Sequence, residues 1–244
     1  MKNMIRISLF FAALIASLVA RGESADAQFA QANQLYTDGE YAQAIEAYQQ
    51  MLPAQQSANV HFNLGNAYYQ LGEYGPAVLH YEKALALAPR NPDIKANLEL
   101  TQEAAQLTPA PPGWAQIVGD LAPVNFWAWL AVIVFWALVA LIVIAPMYRW
   151  KGLSRNGLTA LCALVLIVSM VGLYGWHVRG SYGVVLTDEA TLSVAPTSTS
   201  PAAGSVKAGQ LAQIRERHGE YFLVTVGTDK IGWLPNKAFS PIWD

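Results

Sequence analysis

Charge is scarce in this chain of 244 residues: Asp, Glu, Lys and Arg make up 13%, while 54% are hydrophobic. A soluble domain carries about 25% charged residues, so the shortfall calls for segments that face something other than water. It is concentrated, because residues 121–148 and 156–178 contain no Asp, Glu, Lys or Arg. Cysteine is almost absent. The single Cys162 lies in the second uncharged stretch, which excludes an intrachain disulfide, a cysteine metal site and a CxxC redox pair. Basic residues are few in the first half: between Glu23 and Asn125 there are 11 acidic and 3 basic residues, whereas Val178 to Asp244 has 6 of each. Such an acidic half argues against a nucleic-acid partner. It suits a basic partner and a solvated acidic face equally well.

The uncharged stretches are long enough to matter. Phe126–Met147 would form a helix of about 33 Å and Leu158–Trp176 one of about 28 Å, each near the thickness of a bilayer core. Trp127, Trp129, Tyr148 and Trp150 frame the first, and Tyr174 and Trp176 close the second, as interfacial aromatics do. The connection holds Arg149, Lys151 and Arg155 with no acid, so the positive-inside rule puts it in the cytoplasm and both flanking regions outside. At the N-terminus, Lys2 and Arg6 precede an uncharged run from Ile7 to Ala20, about 21 Å as a helix. That is the layout of a secretory signal, with cleavage after Gly22 or, preferred, after Ala27; an uncleaved anchor is the alternative. The expected organisation is a signal at 1–27, a helical module at 28–107, a linker at 108–125, transmembrane helices at 126–147 and 157–177 around a cytoplasmic loop at 148–156, and a β-domain at 181–244.

The helical module repeats itself. At a period of 33 residues Phe29, Asn33, Tyr36, Gly39, Glu40, Tyr41, Ala44, Tyr48 and Leu52 recur as Phe62, Asn66, Tyr69, Gly72, Glu73, Tyr74, Ala77, Tyr81 and Leu85. Composition alone would give about two such matches. Each unit reads as two antiparallel helices: Leu64, Tyr68 and Leu71 recur at helical spacing, Gly72 ends the first helix, and Ala77, Tyr81 and Ala84 line the next. Pro89 stops that helix, and Asn91-Pro92-Asp93 opens a closing helix carrying Ile94 and Leu98.

These residues resemble the tetratricopeptide (TPR) repeat. Leu64, Gly65, Tyr68, Ala77, Tyr81, Ala84 and Pro89 fill its small, large and aromatic positions in the unit from Ala58 to Asn91. The unit from Ala25 to Ser57 keeps Ala44 and Tyr48 but has Ala32 for the glycine and Met51 for the small residue. The resemblance implies an all-α scaffold whose first helices line a peptide groove, here Phe29, Asn33 and Tyr36, then Phe62, Asn63, Asn66 and Tyr69, and Asn97 from the closing helix. It implies that Asn33 and Asn66 clamp an extended backbone through paired donor and acceptor contacts. Tyr36 and Tyr69 suit packing between units as well as a ligand. The family's carboxylate-gripping site uses lysine or arginine beside the asparagines. Phe29, Asp93 and Asn97 stand there instead, against carboxylate capture.

Thr108-Pro109-Ala110-Pro111-Pro112-Gly113 ends the helical module. Trp114–Leu121, with Ile117, Val118 and Leu121 on one side, fits either a helix on the membrane surface or an extension of the first membrane helix. Beyond Arg179 come five β-type runs, 183–187, 190–194, 210–214, 221–226 and 231–234, which suggest a small barrel. The Lys207-Ala208-Gly209-Gln210 turn and the closing Ile231-Gly232-Trp233-Leu234-Pro235 resemble bacterial SH3-like domains. That likeness implies peptide or cell-wall binding through Tyr221, Trp233 and Trp243, although Trp233 also suits the barrel core.

Catalytic chemistry is missing. His61, His80, His177 and His218 fall on four separate elements without acidic or cysteine neighbours at ligand spacing, so no metal is expected; nor does a phosphate loop or nucleophile motif suggest a cofactor. The order of signal, TPR units, two membrane helices and SH3-like barrel resembles the BatE family of the bacterial aerotolerance (Bat) operon. That resemblance implies an inner-membrane protein with both modules periplasmic, and partners among von Willebrand A-domain membrane proteins acting with a MoxR-type ATPase. The expected function is a non-enzymatic adaptor. The alternative is an envelope sensor that binds peptidoglycan through the barrel.

Overall fold

The computed structural model describes residues 25–53, 56–108, 113–148, 152–227 and 229–243. The signal through residue 24, most of the proline-rich linker, and the loop cations Arg149 and Lys151 lie outside the described residues.

Five helices form the repeat module: α1 (residues 25–37), α2 (Tyr41–Met51), α3 (Ala58–Gln70), α4 (Tyr74–Leu87) and α5 (Pro92–Ala104). The turn inside each unit is the same device. Gly39 and Gly72 adopt φ of 81° and 76°, and Glu40 and Glu73 donate their N–H groups back to Leu35 and Tyr68 at 2.9 and 3.0 Å. A side chain at that left-handed position would be strained, so the glycines fix where each first helix ends. The Ser57 hydroxyl caps α3, and the Asn91 carboxamide accepts from Asp93 and Ile94 at the start of α5, with Pro92 in the first turn. Gly65 lets α3 and α4 approach: a Cβ there would lie 2.6 Å from the Tyr81 ring. In the first unit Ala32 takes that position and is fully buried in a core with Ala44, Ile45, Tyr48, Met51, Val60 and Leu64.

The middle of the chain is α6 (Trp114–Gly119), α7 (Val124–Val139), a π-helical stretch Ala140–Ile144, a final turn α8 (Ala145–Met147), and α9 (Leu153–Gly180). Val124–Ile144 and Ser154–Gly180 are long and apolar enough to cross a membrane, and only 11% of each apolar window is buried. Trp129, Ile133, Trp136 and Leu164 therefore point outward. Of the two readings for Trp114–Leu121, continuity with the first long helix is excluded, because α6 stops at Gly119 and Pro123 begins α7 afresh. Instead α6 lies against α9, where a Cβ at Gly175 would collide with the Ala115 carbonyl and one at Gly119 would lie 3.2 Å from the Gly172 carbonyl.

The C-terminal region is a curled antiparallel sheet of seven strands, two more than expected. These are β1 (Tyr182–Val185), β2 (Ala190–Ser193), β3 (Ala202–Val206), β4 (Leu211–His218), β5 (Tyr221–Val226), β6 (Lys230–Pro235) and β7 (Phe239–Pro241), in the order β3-β2-β6-β5-β4-β1-β7. The two extra strands have weak sequence signals. In β3, Ala-Ala-Gly-Ser-Val, four of five residues are exposed, and β7 is three residues long and ends in proline. Among the described pairings the end strands β3 and β7 do not join, so the expected small barrel is an open curl. Its core contains Val185, Leu192, Val206, Phe222, Val224, Leu234 and Phe239.

The three parts are not beads on a string. A single buried cluster runs from Ala77, Val78, Leu85 and Ile94 of the repeat through Trp127 and Trp176 to Val184 and Ile242 of the sheet region. The α4 backbone sits so close to the sheet that a Cβ at Gly75 would strike the Leu186 carbonyl, and Gly209 lies over Leu107 and Val78. The convex side of the second repeat unit is thereby covered, while the half-buried groove side of its first helix faces away from that contact. Because the atom facing Gly75 is backbone and cannot rotate away, Gly75→Ala should lower stability by about 1–3 kcal/mol. Gly157→Ala, with nothing within 4 Å of the new carbon, should not. Denaturant unfolding of the two variants in detergent measures the difference.

Candidate functional site: the repeat groove

The candidate groove residues come from the first helix of each unit and from the closing helix: Phe29, Asn33 and Tyr36 on α1, Phe62, Asn63, Asn66 and Tyr69 on α3, and Asn97 on α5. All are half-buried. Their polar atoms follow the repeat period. The Tyr48 hydroxyl donates to Asn33 Oδ1 at 2.6 Å, and Asn63 Nδ2 donates to the same oxygen at 2.8 Å. One unit on, the Tyr81 hydroxyl donates to Asn66 Oδ1 at 2.7 Å and Asn97 Nδ2 donates to it at 2.8 Å. Each tyrosine rises from the second helix of its unit and is buried, its hydroxyl ending on the groove asparagine. Burial pushes both phenols above their ordinary pKa, so they remain protonated donors.

This network changes what the asparagines can offer. A carboxamide oxygen has two lone pairs and its nitrogen two hydrogens. The oxygens of Asn33 and Asn66 each already accept two bonds, and among the described residues their Nδ2 groups engage no protein acceptor. Instead of paired contacts from one residue, the groove presents donors at Asn33 and Asn66 and acceptors at Asn63 and Asn97. Asn33, Tyr36, Thr37, Tyr48, Asn63 and Asn66 surround a pocket of about 220 Å³ between the units. This is smaller than the roughly 300–1,000 Å³ of cofactor and drug-sized sites and suits a single side chain.

The aromatic candidates also pack by unit. Phe29 and Phe62 tilt against Tyr48 and Tyr81, each at a centroid distance of 6.0 Å. Tyr36 and Tyr69 lean on Tyr41 and Tyr74, at 5.3 and 5.9 Å, across the tight turn of their own unit and not between units.

The sheet candidates do not form one site. Leu223 pairs with Trp233, and Tyr221 with both Pro235 and His218, which places Tyr221 and Trp233 on the outer face opposite the buried Phe222, Val224 and Leu234. Trp233 is half-exposed there, with the His218 ring 6.3 Å away. Trp243 lies elsewhere, beside Trp176 and Gly180 at the end of α9.

One polar cluster escaped sequence reasoning. His61 on α3 and His80 on α4, assigned to separate elements, meet with their Nδ1 atoms 3.0 Å apart and are 2% and 8% exposed. His61 Nε2 lies 3.0 Å from Gln56 Oε1, so it carries hydrogen, and the shared bond then runs from His80 Nδ1–H to His61 Nδ1. Tyr68 stacks on His80 at 5.4 Å and accepts a bond from Gln49. The 19-residue spacing across the α3–α4 turn is a faint signal. Only the packing of the two helices reveals the contact. Among the described residues no three His, Cys, Asp or Glu side chains could hold a metal.

Burial, reinforced by nearby Lys83, pushes His61 down to about 4; burial, the partner ring and Lys83 push His80 down to about 3. Both rings stay neutral in the fold while the unfolded chain takes up protons below pH ~6.5. The stability they contribute is therefore complete above that pH and is lost as pH falls toward 4, at up to about 1.4 kcal/mol per pH unit for each ring. Thermal unfolding between pH 7 and 5 should show this slope, and His61→Leu/His80→Leu should flatten it.

Comparison with known proteins agrees with this geometry over part of the chain. No curated protein matches it. The family model of the tetratricopeptide repeat matches residues 58–91, the stretch that carries α3, α4 and the turn into α5. Residues 58–91 are a tetratricopeptide repeat, a protein-interaction module.

Proposed function

We propose that this protein is a non-enzymatic, membrane-anchored adaptor that holds an extended segment of a partner protein in the repeat groove. The observation that carries the reading is the division of labour in the groove: free amide donors at Asn33 on α1 and Asn66 on α3 alternate with acceptors at Asn63 on α3 and Asn97 on α5, on the side of the repeat away from the α4 contact with the sheet. Such a ladder matches peptide carbonyl and N–H groups and has no cation to favour a carboxylate. The outward apolar faces of α7 and α9 support the anchoring, and Arg149, Lys151 and Arg155 support a cytoplasmic loop with both modules outside a bacterial inner membrane. The curled sheet fits an SH3-like module. In this reading the order of parts favours a Bat-type envelope or oxidative stress complex, with von Willebrand A-domain membrane proteins and a MoxR-type ATPase system as partners. A second reading, a peptidoglycan-binding sensor, draws on the outer-face pair Tyr221 and Trp233.

Asn33→Asp/Asn66→Asp tests the groove. The exchange keeps the oxygens that accept from Tyr48 and Tyr81 but replaces the free donors with acceptors. Pulldown of the full chain from detergent should lose its protein partners at least tenfold without loss of helicity. An unchanged partner list contradicts the groove assignment, and retention on peptidoglycan without protein partners favours the second reading.

A further inference from the structure

Arg179, at the last turn of α9, stands where the three parts of the molecule meet. Its Nη2 donates to both oxygens of Asp120, at 2.8 and 2.7 Å. Asp120 caps the C-terminal end of α6. Among the described residues Nη1 is buried without a hydrogen-bond acceptor, 3.7 Å from Glu82 Oε2 on α4. Glu82 is 9% exposed, and its chain neighbour Tyr81 is the residue whose hydroxyl reaches the groove at Asn66. The repeat, α6 and the end of α9 thus converge on one guanidinium, which is fully engaged on one side and one short step from engagement on the other.

The charges do not balance. Two carboxylates face one guanidinium, so if both acids ionise, a net negative charge remains in a buried pocket. The charged or titratable groups that act on it are Glu82 from α4, Asp120 from the end of α6, Arg179 from α9, and Lys95 from α5, which acts on Asp120. We propose that Arg179 is a proton-controlled latch: with Glu82 protonated the guanidinium is committed to Asp120 and the repeat seats on the α6–α9 junction, and ionised Glu82 competes for it and loosens that seat. Asp120 holds two short charge-assisted bonds, so the surplus proton belongs on Glu82. Burial raises both carboxyls above their ordinary pKa against the pull of Arg179, and the Glu82 side chain, 11% exposed against 25% for Asp120, is the more deeply buried of the two. The sign follows: an acid raised in the fold is favoured protonated, so docking is tightest at low pH and weakens as pH rises through the raised value. The latch does not depend on what the groove binds.

Hydrogen exchange of the full chain in detergent, at pH 5 and pH 8 and corrected for intrinsic rates, tests it through the amides of α6, which does not carry the histidine pair. The wild type should lose protection at α6 at least tenfold between the two conditions. Glu82→Gln, which mimics the protonated acid, should hold the pH 5 level at both. Arg179→Lys, which keeps the charge but cannot fork two hydrogen bonds, should expose α6 at both. A pH difference in Glu82→Gln equal to that of the wild type, or none in the wild type, overturns the latch.

Discussion

Two indole N–H groups converge on the end of a six-residue helix, and the placement of everything else depends on them. Trp127 and Trp176 each donate to both Gly119 O and Ala122 O, at distances from 3.0 to 3.2 Å. The last carbonyls of a helix lack partners within it. Gly119 O also accepts from the Ala122 N–H at 3.3 Å, and a buried carbonyl left with no donor at all costs about 1–3 kcal/mol. The indoles satisfy these carbonyls, and the Trp127 ring fills the space left by Gly172 on α9 while the Ala115 carbonyl of α6 occupies that left by Gly175. With α6 fixed in this way, the same two tryptophans extend the core into the repeat on one side and the sheet on the other.

That arrangement gives the repeat module a direction. A free pair of repeat units offers both a concave and a convex face. Here α4 is committed to the sheet and the end of α9, and the groove side of the first helices faces away from that contact. The same helix serves both sides at consecutive residues, Tyr81 toward the groove and Glu82 toward Arg179, which makes α4 the physical link between the groove and the apolar hairpin.

Much of this is readable in the sequence wherever a local rule repeats. The 33-residue period reports the turn at Gly39 and Gly72, because only glycine accepts that backbone at no cost. The apolar helices show in the uncharged runs. The pattern fails where structure is decided by distant partners. Strand β3 is small and exposed and β7 ends in proline, so neither carries a strand signature. His61 and His80 look solitary until α3 and α4 pack. The occupied oxygens of Asn33 and Asn66 depend on tyrosines from another helix, although the shared spacing of 15 residues between Asn33 and Tyr48 and between Asn66 and Tyr81 carried the hint.

The central claim is that the repeat is sealed onto the sheet through its convex side, and one contact tests it. Leu107, just beyond α5, lies against Gly209 in the turn before β4. A photoreactive leucine analogue at position 107, irradiated in the full chain in membranes, should crosslink within the chain to residues 207–211. Adducts to lipid or to other proteins without that internal crosslink would contradict the sealed arrangement.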